Sequence, residues 1–69
     1  MDVERLKLIN YLIDSNYERM NLILSRNNIH SMADMNKLAS NELEEWERLN
    51  KINMDLIATV KRENETLSE

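Results

Sequence analysis

Met20-Asn21-Leu22-Ile23-Leu24-Ser25-Arg26-Asn27-Asn28-Ile29-His30-Ser31-Met32-Ala33-Asp34-Met35 is where one hydrophobic stripe ends and another begins. Upstream, residues spaced alternately by three and four run Leu6, Ile9, Ile13, Asn16, Met20, Ile23, Asn27. Downstream, the same spacing runs Met32, Met35, Ala39, Glu42, Trp46, Leu49, Asn53, Leu56, Val60, Glu63, Leu67. Such steps hold side chains on one face of a helix, and over several heptads they describe a coiled-coil seam. Continued past Asn27, the first stripe would put the polar His30 and Asp34 on the seam, so the two stripes are out of phase.

The local chemistry agrees with a break. Asn27 and Asn28 tolerate the left-handed backbone of a helix end without glycine. Ser31, followed three residues later by Asp34, reads as a capping box that opens the next helix. These signals predict helix 1 over about 3–27, a turn at 28–31, helix 2 over about 32–62 and a frayed polar tail at 63–69, all within one domain of residues 1–69. One bent continuous helix is the alternative, since no glycine or proline forces a turn.

A short break between two amphipathic helices folds them back as an antiparallel hairpin. The expected fold class is therefore all-α, a coiled-coil-like two-helix hairpin. With the turn near Ile29, facing residues carry numbers totalling about 59, which sets Met20 against Ala39 and Ile13 against Trp46. It also brings Asn16 level with Glu42, a candidate register pair, because buried polar groups are tolerated when they meet each other. Solvation of both at a frayed edge of the seam is the plainer account of the same two residues. By this pairing Val60 and Leu67 have no partner on helix 1.

Composition supports the class and restricts the rest. Glycine, proline and phenylalanine are absent, 42% of residues are hydrophobic and 32% charged. Primed hairpin turns and sandwich corners are therefore hard to build, while Leu, Met, Glu, Lys and Arg favour helix. A chain of 69 residues without cysteine has neither disulfide nor thiolate metal site to supplement a small core. The missing cysteines also fit a reducing, cytoplasmic setting. No apolar run reaches the ~18 residues of a membrane span, and the acidic opening Met1-Asp2-Val3-Glu4 is unlike a signal peptide. A net charge of −4, with nine basic residues interleaved among acids, argues against nucleic acid as the partner.

The remaining supplement is another helical surface. Leu12, Tyr17 and Leu24 widen the apolar face of helix 1, Leu8, Tyr11 and Leu22 lie further round, and Leu38, Leu43, Ile52 and Ile57 flank the seam of helix 2. A helix with one neighbour needs a narrow stripe, whereas one inside a bundle needs a wider arc. A homodimer completing a four-helix bundle, or docking onto a helical partner protein, would cover that arc. Leu12, Trp46, Leu49, Ile52 and Leu56 are the expected partner-binding residues. Trp46 has a second reading as core, and Met20, Met32 and Met35 read as core filling near the turn.

Chemistry for catalysis is sparse. His30, Ser31 and Asp34 crowd one turn, where consecutive residues do not converge on a reacting atom. As metal ligands His30 and Asp34 are two short. Glu42, Glu44, Glu45 and Glu47, with Arg48 and Lys51 at helical spacing, read as a solvated face of ion pairs. No catalytic residue, metal or cofactor is expected.

Ser40-Asn41-Glu42-Leu43-Glu44 is similar to the Ser-Gln-Glu-Leu-Asp signature of small sporulation-control phosphatases, with Arg19 about where that family carries an arginine on its first helix. The resemblance covers some 30 residues. It implies a helical hairpin that removes the phosphoryl group from a response regulator's aspartate, with Ser40, Asn41, Glu42 and Glu44 facing the partner or positioning water. Two of the five signature residues differ, the family's turn glycine is missing, and Lys37 stands where an apolar residue is expected. That role for Glu42 also competes with its burial against Asn16. The paired helices resemble small flagellar and secretion chaperones too, without a diagnostic residue. The readings carried forward are a non-enzymatic regulator or adaptor, a phosphatase-like hairpin, and a chaperone or structural assembly subunit.

Overall fold

The computed structural model describes residues 2–67, with side chains through residue 64. Among these residues every regular element is helical: α1 spans Val3–Arg26, a 3-10 helix spans Met32–Lys37, and α2 spans Ser40–Leu67. α1 and α2 pack against each other in a rod of 45 × 19 × 19 Å. No helix among the described residues is long and apolar enough to cross a membrane.

α1 is closed at both ends by its own sequence. Asp2 caps its start, where the carboxylate accepts the Arg5 N–H at 2.7 Å and satisfies one of the donors a helix leaves unpaired. At the other end Asn28 takes a left-handed φ of 57°. The Ile29 N–H then reaches the Leu24 carbonyl at 2.9 Å and the Asn28 N–H reaches that of Ser25 at 3.3 Å. This is a Schellman closure built on asparagine instead of glycine. Ile29 is buried and Leu24 packs against the same cluster, the apolar contact that accompanies such a closure.

Helix 2 begins later than expected. The segment from Met32 forms a 3-10 helix, and the α-helix starts at Ser40. Ser31 makes no side-chain cap. Only the acid of the expected box engages, with Asp34 accepting the His30 N–H at 3.3 Å and pairing with Lys37 at 3.4 Å. Leu38 then turns extended, with φ −71° and ψ 140°, and is buried with Ile23 and Ile29. On a helix running from Met32, Leu38 would share a row with Glu45 and Ile52, outside the seam. Extended backbone carries it into the core instead. The expected seam residues Met32 and Ala39 are exposed, Met32 by 72%. α2 also runs on through Leu67, so residues 63–67 of the expected frayed tail are helical. The final two residues of that tail lie outside the described residues.

The longer connector resets the register. Asn16 Nδ2 donates to Asn53 Oδ1 at 2.9 Å, and Asn27 Nδ2 donates to Glu42 Oε2 at 3.0 Å. Both pairs have numbers totalling 69, ten more than the short turn implies. The expected pairing of Asn16 with Glu42 is therefore corrected: each meets a different polar seam residue. Every seam residue from Leu6 to Asn27 acquires a counterpart from Glu63 back to Glu42 in the same three-and-four rhythm. Val60, expected to overhang, comes level with Ile9. The hydrophobic interior is small. Ile9, Met20, Ile23, Ile29 and Leu38 are buried, and Trp46, Met35, Leu43 and Leu24 pack on the cluster at the connector end.

Candidate interaction surface

One side of the hairpin can be laid out from a single ion pair. Arg19 Nε donates to Glu45 Oε1 at 2.7 Å, which puts residues 19 and 45 on one flank, the long arginine side chain spanning their offset of about 7 Å along the rod. A heptad returns to the same helical face, so Leu12 on α1 and Ile52 on α2 stand on that flank too, Ile52 about 7 Å nearer the connector. Leu12 is 41% and Ile52 42% exposed. Leu8 and Tyr11, one turn along α1, are 58% and 69% exposed. Leu8, Tyr11 and Leu12 thus adjoin in water on one side of the rod, with Ile52 exposed further toward the connector on the same flank, a grouping that marks interaction surfaces more than isolated exposed leucines do.

The same flank becomes ionic toward the connector. Arg26 Nη2 donates to Glu42 Oε2 at 2.9 Å, beside the Arg19–Glu45 pair. The hydrogen bond from Asn27, with that from Arg26, holds the Glu42 carboxyl below the usual carboxylate range. Arg19 does the same for Glu45, and Glu45 in turn raises Arg19. Each shift deepens the charged state at neutral pH. Arg19, Glu42 and Glu45 therefore offer fixed charges for orientation.

The expected partner-binding residues divide between two environments. Leu12 and Ile52 stand on the exposed flank, while Trp46, Leu49 and Leu56 lie on the intramolecular seam, partly buried. Trp46 packs on Ile23, Ile29 and Leu38, and its indole N–H is buried without an acceptor among the described residues. Of the signature-like group, Ser40, Asn41 and Glu44 are exposed in the first turns of α2 and Glu42 is half-buried. Asn41 and Glu44, with Glu45 and Arg48, line an open depression. Arg19 reaches Glu45 at its edge. Glu42 is turned toward Arg26 and Asn27.

Sequence reading passed over Asn53, the one fully buried polar side chain among the described residues. Its signal was a polar residue on the long seam, the same signal that singled out Asn16 and Glu42. Among the described residues no group of three or more His, Cys, Asp or Glu is placed to hold a metal. Comparison with protein-family models, with curated proteins and with solved structures gives no match.

Proposed function

We propose that this hairpin is a non-enzymatic regulator or adaptor that acts by packing one flank against another helical protein surface. The observation that carries the reading is the exposed group Leu8, Tyr11, Leu12 and Ile52. Covering those side chains releases water from apolar surface, at roughly 25 cal/mol per Å2, and the adjacent ion pairs orient the contact. The small interior gives the chain a reason to seek that contact, because a two-helix unit without disulfide or metal is marginal alone.

The test is a photo-crosslinking amino acid placed in turn at Leu12, at Ile52 and at Asp14, an exposed residue on the outer side of α1. Protein adducts from the first two positions and few from Asp14 are expected. Equal yields at all three positions, or none, would sink the reading.

A second reading has its own observation. Asn41 and Glu44, both in the signature-like stretch, line the open depression beside the Arg19–Glu45 pair. A phosphatase-like hairpin would set that depression over a response regulator's aspartyl-phosphate, the amide or carboxylate positioning the attacking water. Asn41→Ala and Glu44→Ala should then abolish dephosphorylation of a phosphorylated receiver domain while leaving helicity intact. An adaptor working through Leu12 and Ile52 predicts no dephosphorylation to lose.

A further inference from the structure

We infer that the partner of this flank is a second copy of the chain, packed face to face about a two-fold axis that passes between Tyr11 and Leu12. The inference rests on the interaction reading above and names its occupant. It begins with a repeat along α1: Glu4-Arg5 recurs as Glu18-Arg19, two heptads later, bracketing Leu8, Tyr11, Leu12 and Ser15. Laid antiparallel on itself about the point between Tyr11 and Leu12, α1 sets Glu4 opposite Arg19 of the second copy and Arg5 opposite Glu18. Between these charges Leu8 falls opposite Ser15, and Tyr11 opposite Leu12. Two-fold pairing needs one surface that complements itself, and this one does so in both charge and apolarity.

Arg19 can serve both its Glu45 and a Glu4 of the second copy, since a guanidinium carries five donors.

Size points the same way. One broad side of a 45 × 19 Å body presents roughly 850 Å2, against the ~800 Å2 that each partner of a stable interface contributes. A partner must therefore match the full length of the rod, and a second copy does so by construction. The product is a four-helix bundle in which α1 lies on α1 and α2 on α2.

The experiment is sedimentation equilibrium on the full chain, with helicity followed in parallel, for the wild type, Arg5→Glu, Glu18→Arg and the double variant. Arg5 and Glu18 are both exposed and stand ~20 Å apart along one helix, so neither can compensate the other within a chain. Each single reversal should weaken the dimer about tenfold, and the double variant should restore it to within about threefold of wild type. Leu12→Cys, in a chain that has no cysteine of its own, should form a disulfide-linked dimer on oxidation. A wild type that stays monomeric overturns the inference, as does a dimer whose charge reversals show no mutual rescue. Foreign-protein adducts at Leu12 from such a monomer would leave the interaction reading standing, whereas a monomer without adducts would remove both.

Discussion

Asn16 and Asn53 meet side chain to side chain in the middle of the seam, the amide of one donating to the carbonyl of the other at 2.9 Å. Asn53 is fully buried, and its own amide reaches the Ile13 carbonyl at 3.3 Å and the Met20 sulfur at 4.0 Å. Sliding α2 by a turn would place one asparagine against hydrocarbon, at about 1–3 kcal/mol for each orphaned group. The pair thus acts as a detent for the antiparallel register.

Asn53→Leu alone is expected to destabilise the hairpin by about 1–3 kcal/mol, because Asn16 loses its acceptor beside a larger side chain. Asn16→Leu combined with Asn53→Leu should regain most of that loss and admit shifted registers. Urea titrations read the first effect. Cysteine pairs at positions totalling 69, compared with pairs totalling 59, read the second. A double variant held as firmly in register as the wild type would show that the asparagines do not set it.

The end of α1 gives a backbone prediction. Asn28 occupies the left-handed region, where a β-carbon costs roughly 1–2 kcal/mol and asparagine tolerates it better than most. Asn28→Ala should therefore lower stability by about 1 kcal/mol, and Asn28→Gly should equal or exceed the wild type. Thermal melts followed by helicity distinguish the two, and equal melting points for alanine and glycine would contradict the geometry.

Acid should loosen the connector end first. Glu42 and Glu45 are held below the usual carboxylate range, Glu42 chiefly by Asn27 and then Arg26, Glu45 by Arg19. A depressed carboxylate adds stability above its unfolded pKa and loses it as pH falls through the folded value. The melting temperature should hold through neutral pH and drop below the ordinary carboxylate range. Glu42→Gln should flatten that drop while lowering the neutral-pH plateau. A wild-type curve that rises on acidification would reverse the sign and refute the assignment.

Trp46 offers the converse test. Its indole N–H is buried without an acceptor among the described residues, a cost of about 1–3 kcal/mol that phenylalanine would not carry. Trp46→Phe loses some packing against Ile23 and Leu38, so the two effects oppose, and a net change below about 1 kcal/mol is expected. Trp46→Ala should cost about 3 kcal/mol or more.

The helices and their facing stripes could be read before any coordinates, because three-and-four spacing belongs to the helix itself. The register could not, since it hangs on the connector length. Ser31 and Asp34 look the same whether they open an α-helix or a 3-10 turn. One constraint was available: setting Asn16 against Glu42 strands Asn27 and Asn53, whereas setting Asn16 against Asn53 brings Asn27 to Glu42 as well. The flank was legible in part. Leu12 and Ile52 lie off the seam and proved exposed. Trp46, Leu49 and Leu56 sit on it, and a seam residue reads alike whether it meets its own chain or another.

The register that joins Asn16 to Asn53 also brings the backbone of Asp2 level with that of Leu67, at the pole of the rod opposite the connector. A load applied between the two ends would therefore not stretch either helix along its length. It would peel them apart from that pole, one level at a time, in the manner of a zipper. Such a geometry resists weakly until the opening fork reaches the asparagine pair midway, and the Asn27–Glu42 bond beside the connector is the last catch to release.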